Sequence, residues 1–217
     1  MNLEDVCKVV MPLGRINPGG VLLLGTCFLL NQDGIWATAA HVTESNDKDL
    51  VVITPRIESA SEYQDTTDMS VKYMPVRISK IDPIHDTAIL KADAVGKSNL
   101  VISSIDRVDV GNHVAIFGFP HADHGRMVLT YQYTEVGAKI MLDSGGIKTK
   151  HVVLNVQARP GQSGSPVIDT RNMQLVAILI GSYAPGGGGG ISLGGVDPHT
   201  LHQTTHAISA EYLGGMI

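Results

Sequence analysis

Residues 159–167 read RPGQSGSPV, a serine enclosed by glycines in a tight turn between two apolar segments. Alone, such a serine is an ordinary turn residue. Two other short segments change that interpretation. Residues 38–42 read TAAHV and end a predicted strand with a histidine, and residues 85–90 read HDTAIL and place an acid just before an apolar strand. The three segments supply one serine, one histidine and one aspartate: Ser163, His41 and Asp86.

The chemistry of a serine nucleophile explains why these three residue types belong together. A serine hydroxyl attacks a carbonyl only if a neighbouring base takes its proton, and histidine has a pKa suited to that task. A carboxylate then fixes the histidine tautomer. We therefore predict Ser163 as nucleophile, His41 as base and Asp86 as the orienting acid, with Asp82 a less well placed rival. The N–H groups of Gly161 and Ser163 are the candidate donors to an oxyanion.

Strand patterns dominate the rest of the chain. Short apolar and β-branched runs are separated by Gly, Pro, Asn and Asp, and Asp33-Gly34 is a hairpin signal. Many short strands at this spacing indicate a sandwich or a barrel. The predicted strands are Val21–Leu30, Ile35–Thr38, Leu50–Pro55, Val71–Ile81, Thr87–Lys91, His113–Gly118, Met127–Val136, His151–Val156, Pro166–Asp169 and Leu175–Gly181.

One helix is predicted near the C-terminus. Asp197 can cap it, Pro198 suits its first turn, and Gly214-Gly215 would end it after about Leu213. In that helix His202 and His206, four residues apart, would lie on one face.

Composition excludes several classes of protein. The chain has 217 residues, 43% hydrophobic and 17% charged, with a net charge of -5, which is typical of a globular protein. No apolar run is long enough to span a membrane, and no Lys/Arg cluster indicates nucleic-acid binding. The acidic N-terminal segment does not resemble a signal peptide, and Cys7 and Cys27 make no disulfide framework. We therefore expect a cytoplasmic location.

The three motifs resemble those of the trypsin-like serine peptidases, in the chain order His, Asp, Ser. Residues 25–30, GTCFLL, resemble a strand of that family. Residues 110–120, VGNHVAIFGFP, resemble a strand of its HtrA-like and glutamyl-endopeptidase-like branches. The resemblance covers residues from about 20 to 183.

The resemblance implies an all-β fold of two six-stranded antiparallel β-barrels packed together, with a short C-terminal helix. The barrel of residues 1–105 would carry His41 and Asp86, and residues 106–217 would carry Ser163 and the helix. The implied activity is that of a serine endopeptidase acting through an acyl-enzyme, with a protein or peptide substrate and no cofactor. A catalytically silent binding module on the same fold is the alternative.

The family also implies where the substrate side chain binds. The primary pocket would be formed by the segments before the serine and along the following strand, with these contacts: Gln157, Ala158, Ile180, Gly181 and Ser182. Neither segment supplies an acid or an opposing histidine, and Ile180 favours a small or medium apolar side chain at the cleaved position.

Departures from the family pattern concern activation. Relatives that are activated by trimming have an aspartate before the serine, which pairs with the new N-terminus; here the residue is Gln162, which argues against that route. HtrA-like relatives can stay latent until a regulatory domain or partner orders their loops. The glycine run at residues 186–190 lies where such a loop would be, although a plain flexible loop is the simpler interpretation.

The remaining histidines do not indicate a metal. His121 and His124 flank Asp123 in a loop that the family resemblance places near the active-site rim, and His202 and His206 form the second pair. Zinc requires three or four convergent ligands, and the chain has no H-E-x-x-H motif. We therefore predict no metal site.

Overall fold

The structure is a computed structural model that describes residues 2–54, 57, 59–68, 70–93, 96–183 and 204–217. Its first half forms a closed antiparallel barrel in the strand order β1-β2-β3-β6-β5-β4. Pairing of β1 with both β2 and β4 closes it. The strands are β1 Val10–Asn17, β2 Gly20–Leu29, β3 Ile35–Ala39, β4 Leu50–Thr54, β5 Lys72–Asp82 and β6 Thr87–Ala92.

The second half repeats this architecture. Its closed barrel has the strand order β10-β11-β12-β9-β8-β7, and the pairing of β7 with β10 closes it. The predicted fold of two six-stranded antiparallel barrels is confirmed. The strands are β7 His113–Gly118, β8 Thr130–Ser144, β9 Ile147–Leu154, β10 Pro166–Asp169, β11 Gln174–Tyr183 and β12 Thr204–Ser209.

Short helices connect and flank the barrels. Within the described residues they are the α-helices α1 Leu3–Cys7 and α2 Ala40–Thr43, and the 3-10 helices Ile105–Arg107, Ala122–His124 and Ala210–Gly215. The boundary predicted between residues 105 and 106 falls in the connection from β6 to β7. Among the described residues, the longest helix is far too short to span a membrane.

The predicted C-terminal helix is wrong over residues 204–209. This segment is strand β12, which pairs with β11 on one side and β9 on the other. Because these pairs close the second barrel, tertiary pairing overrides the local helix signals. Asp197, Pro198 and His202 lie outside the described residues. A short 3-10 helix at Ala210–Gly215 follows the strand.

Apolar side chains fill each barrel and the space between them. Leu13 and Trp36 belong to a cluster in the first barrel, and Val114 and Leu179 to a cluster in the second. A third cluster contains residues of both barrels, including the fully buried Phe28 and Phe117. The barrels therefore share a core at their interface, where the three predicted site segments meet.

Candidate active site

His41 and Asp86 form a doubly bonded pair. His41 lies in α2, directly after β3, and its main-chain N–H donates to Asp86 Oδ1 at 2.8 Å. Its ring Nδ1 lies 2.6 Å from Asp86 Oδ2. Because an ionised carboxylate only accepts, this contact assigns the ring proton to Nδ1 and leaves Nε2 with a free lone pair. In this tautomer the ring is chemically able to accept a proton at Nε2.

The backbone around Asp86 contributes to this geometry. Asp86 has a φ of +49°, which is uncommon for a residue other than glycine, and its carbonyl accepts from Ala40 N at 2.9 Å. The rival acid is occupied elsewhere, since Asp82 Oδ2 lies 2.6 Å from His85 Nδ1. Burial alone would raise the pKa of Asp82, but hydrogen bonds and charge from His85 lower it overall. Asp82 therefore pairs with its own histidine.

Ser163 lies in the loop between β9 and β10, in what we call the nucleophile turn, residues 159–164. Gly164 has a φ of +85°, and a Cβ there would lie 2.1 Å from the Thr26 carbonyl oxygen and 2.3 Å from Thr38 Oγ1. Only glycine fits at that position. In this structure the Ser163 hydroxyl donates to the Ile180 carbonyl at 3.0 Å.

Two main-chain amides in the nucleophile turn are free to bind an anion. The N–H groups of Gly161 and Ser163 donate to no acceptor within the described part of the chain. Gly161 has a φ of +87°, and a Cβ there would come within 2.6 Å of the Phe119 carbonyl oxygen. Glycine therefore allows the turn to pack closely against the loop after β7.

Thr26 of the first barrel holds this turn. Its N–H donates to the Ser163 carbonyl at 2.9 Å, and its Oγ1 donates to the Gly161 carbonyl at 2.9 Å and accepts from Phe119 N at 3.2 Å. The side chain is fully buried. The sequence reveals Thr26 only as part of a family-like strand, because its contacts cross from one barrel to the other.

Gly25 brings the histidine and the serine together. A Cβ at this position would lie 2.7 Å from the Val42 side chain and 2.9 Å from the Ser163 carbonyl oxygen. Val42 follows His41 directly in α2, so α2 and the nucleophile turn lie on either side of Gly25. The predicted His41, Asp86 and Ser163 thus lie in one region between the barrels.

A model of a known protein family matches most of this chain. Residues 25–178 match the family model described as a trypsin-like peptidase domain, which covers more than half of the chain. The chain belongs to the trypsin-like peptidase family. The resemblance inferred from the three motifs is confirmed.

Relatives in the trypsin-like peptidase family include a probable periplasmic serine endoprotease, DegP-like, from Ectopseudomonas mendocina. It is 25% identical over 177 residues, which make up 79% of this chain and 33% of the relative. The chain therefore spans about a third of that protein. Two solved structures share the fold. They are the MamO protease domain of Magnetospirillum magneticum (TM-score 0.69, 16% identity, 98% of this chain and 97% of that one) and the HtrA-type protease AlgW with a decapeptide (TM-score 0.68, 15% identity, 99% and 64%).

The segments predicted to form a trypsin-like pocket lie beside Ser163. Ile180 binds the Ser163 hydroxyl through its carbonyl, and a Cβ on Gly181 would lie 3.7 Å from Ser163 Oγ. Gly181 has a φ of +147°, which again favours glycine. Ser182 follows in β11.

Thr205 connects the two pocket segments, a role that the sequence does not reveal. Its buried hydroxyl accepts from Ala158 N at 2.8 Å and donates to the Val156 carbonyl. In the sheet, Thr205 pairs with Ser182. The remaining predicted contact, Gln157, accepts from the Arg159 side chain at 3.0 Å. Since the sequence assigns Thr205 to a helix, its inward orientation could not be anticipated.

His121, His124 and His206 are among the described residues. Within the described ranges, no three His, Cys, Asp or Glu side chains are grouped to hold a metal ion. The His121 and His124 rings lie 6.4 Å apart, and His121 N donates to the Pro160 carbonyl at 2.6 Å. His206 lies in strand β12 and not in the predicted helix, while His202 lies outside the described residues.

Proposed function

We propose that this chain is a serine endopeptidase acting through His41, Asp86 and Ser163. The observation that carries the proposal is the His41 ring, held by Asp86 at 2.6 Å, beside a serine turn whose Gly161 and Ser163 amides have no acceptor among the described residues. Membership of the trypsin-like peptidase family supports it, as does the DegP-like relative named a serine endoprotease.

The reaction follows from the positions of the groups. Ser163 Oγ attacks the peptide carbonyl while His41 Nε2 accepts its proton, which then passes to the leaving amine. The Gly161 and Ser163 amides stabilise the oxyanion, and Asp86 stabilises the imidazolium. Water, activated by His41, then hydrolyses the acyl-enzyme. Every step uses protein groups and water, so the proposed cycle needs no cofactor.

We also propose that the enzyme has a latent form. In the described conformation the Ser163 hydroxyl donates to Ile180 O, so its proton is directed away from the base. A rotation about the Cβ–Oγ bond of Ser163, which turns this proton towards the base, must precede attack. A substrate, regulatory domain or partner that occupies the Ile180–Gly181 segment would favour this rotation by competing for the Ile180 carbonyl.

The proposed substrate is a protein or peptide with a small or medium apolar side chain at the cleaved position. Ile180 is partly buried against the cluster that the two barrels share and the cluster of the first barrel, and its segment borders the predicted pocket. The AlgW structure contains a decapeptide, which supports a peptide as the class of substrate.

A fluorophosphonate probe tests the proposal because it reacts only with an activated serine. We expect the wild-type chain to be labelled and Ser163→Ala to be unlabelled, with peptide hydrolysis reduced roughly 10⁶-fold in the variant. Labelling of Ser163→Ala equal to that of wild type would overturn the assignment of the nucleophile.

The same probe separates the two states and the alternative. Labelling that increases after addition of a pool of synthetic decapeptides supports the latent form, whereas labelling at one constant rate contradicts it. Absence of labelling under every condition would favour a catalytically silent binding module on this fold.

A further inference from the structure

Gln162, the residue before Ser163, has a fully buried side chain whose amide is bonded at both ends. Oε1 accepts from Arg159 N at 2.8 Å, and Nε2 donates to Gln132 Oε1 at 2.6 Å. A main-chain N–H can only donate, so the end facing Arg159 must be the oxygen. That assignment makes the other end a donor and requires an acceptor from Gln132.

Gln132 connects the nucleophile turn to a strand. It lies in β8, where it pairs with Ile116 of β7, and its side chain is partly buried. Gln162 also closes the turn through its main chain, since its N–H donates to the Arg159 carbonyl at 3.1 Å. The side-chain bond to Gln132 therefore links this turn to the wall of the second barrel.

The position of Gln162 determines what this link controls. The residues on its two sides, Gly161 and Ser163, carry the main-chain N–H groups that are the proposed oxyanion donors. Thr26 holds the carbonyls of these two residues from the first barrel, and Gln132 holds Gln162 from the second. The bond between Gln162 and Gln132 joins two neutral amides, so it buries no charge that would need a counterion.

We propose that Gln132 is a positioning residue for the proposed hydrolysis. By accepting a hydrogen bond from Gln162, it keeps the Gly161 and Ser163 amides directed at one point. The inference rests on the proposed function. The proposed role of Gln132 differs from general packing, because it depends on one hydrogen-bond donor facing one acceptor and not on side-chain volume.

Four variants separate hydrogen-bond complementarity from volume. In Gln132→Glu, the carboxylate still accepts from Gln162. In Gln162→Glu, the carboxylate still accepts from Arg159 N, and the Gln132 amide can turn to donate to it. The double variant Gln132→Glu/Gln162→Glu sets two carboxyl groups against each other; they can pair only by binding a proton, so all variants are assayed at about pH 9 to oppose that pairing. Gln132→Leu leaves the buried Nε2–H unpaired.

The readout is phosphonylation by the fluorophosphonate, resolved into maximal rate and apparent affinity. An unpaired buried donor or acceptor slows the maximal rate roughly ten- to a hundredfold in the double variant and in Gln132→Leu, with little change in affinity. Each single glutamate variant retains most of the rate. Lys139→Gln, at an exposed position on the same strand, is the control and should match wild type.

Hydrogen exchange of the peptide 159–165 gives a second readout that does not require activity. Exchange should increase in the double variant and in Gln132→Leu but not in the single glutamate variants, with circular dichroism confirming that each is folded. Wild-type rates and exchange in the double variant would overturn the inference about Gln132. An unlabelled wild-type chain would instead count against the proposed function, and the exchange result would still decide the role of Gln132.

Discussion

Asp86 accepts two hydrogen bonds from His41, one from the main-chain N–H and one from the ring Nδ1–H. Only the bond to the ring sets the histidine tautomer, because it requires an atom at Asp86 that accepts and does not donate. In Asp86→Asn, an amide N–H facing Nδ1 would favour the tautomer that carries its proton on Nε2. A protonated Nε2 cannot accept the proton of Ser163. We expect fluorophosphonate labelling to slow by about 10⁴-fold while the fold is retained. The rates of fluorophosphonate labelling of wild type and Asp86→Asn, from reactions stopped at several times, measure this difference.

Asp82→Asn is the matched control for that prediction. Asp82 carries the same side chain but bonds His85 rather than His41. Its replacement should therefore change labelling only a few-fold. If both variants lost labelling equally, the loss would report damage to the loop and not the histidine tautomer.

The role of the Thr26 hydroxyl in holding the nucleophile turn can be tested by single substitutions. In Thr26→Val the shape is preserved, but the buried Gly161 carbonyl and Phe119 N–H lose their partner. Leaving such groups unpaired costs about 1–3 kcal/mol each, so the free energy of unfolding should fall by a similar amount. Labelling should also slow, because the turn carrying Gly161 and Ser163 loses one of its anchors.

Urea unfolding of Thr26→Val and Thr26→Ser distinguishes the hydroxyl from the volume. Serine keeps the Oγ that donates to Gly161 and accepts from Phe119, so it should remain close to wild type. A serine variant as unstable as the valine variant would assign the effect of Thr26 to its methyl group.

At the scale of elements, the sequence predicts those strands whose pattern is local. Ten predicted strands overlap observed ones, because each carries its own apolar run and turn residues. Strand β1 was not predicted, since Pro12 and Gly14 interrupt its pattern. Strand β12 was assigned to a helix because its partners β9 and β11 are distant in the chain.

The same distinction applies to the site. His41, Asp86 and Ser163 are visible in local motifs, and the structure brings them to one region. Thr26, Gln132 and Thr205 have no motif, because what they do depends on which loop faces them in the folded chain. Sequence patterns therefore identify the reacting groups better than the groups that hold them in place.

Strand β9 contains a buried titratable group, His151, which should make stability depend on pH. Its Nε2 lies 3.0 Å from Thr149 Oγ1, and its Nδ1 has no hydrogen-bond partner among the described residues. Burial, together with the nearby His206 and His85, lowers the pKa of His151 to about 4. In the unfolded chain the ordinary value is 6.5.

The direction of the pH effect follows from these two values. Between pH 6.5 and about 4 the unfolded chain binds a proton at His151 that the folded chain does not, so acidification favours unfolding. The stability is fully present above pH 6.5 and decreases as the pH falls. Urea unfolding at several pH values should show a shallower dependence in His151→Gln than in wild type, and parallel curves would contradict the prediction.

At the scale of the whole molecule, the two barrels are joined by more than a linker. Phe28 of the first barrel and Phe117 of the second belong to one buried cluster. The Gln64 side chain donates to the Leu129 carbonyl at 2.8 Å and accepts from Leu129 N at 2.7 Å. If one barrel unfolded, the other barrel's part of this shared core would be exposed to water. We therefore expect the barrels to unfold together.

The sole tryptophan makes this expectation measurable. Trp36 is buried in the first barrel and reports on its unfolding, whereas a Trp36→Phe/Tyr131→Trp variant moves the reporter to the second barrel beside Phe117. For each protein, the urea midpoint from fluorescence should coincide with the midpoint from far-ultraviolet circular dichroism, which reports on both barrels. Comparing the two probes within one protein removes any effect of the substitutions on stability itself. Separate midpoints would mean that the barrels are independent units, and the shared core would then contribute little to holding His41 and Ser163 in register.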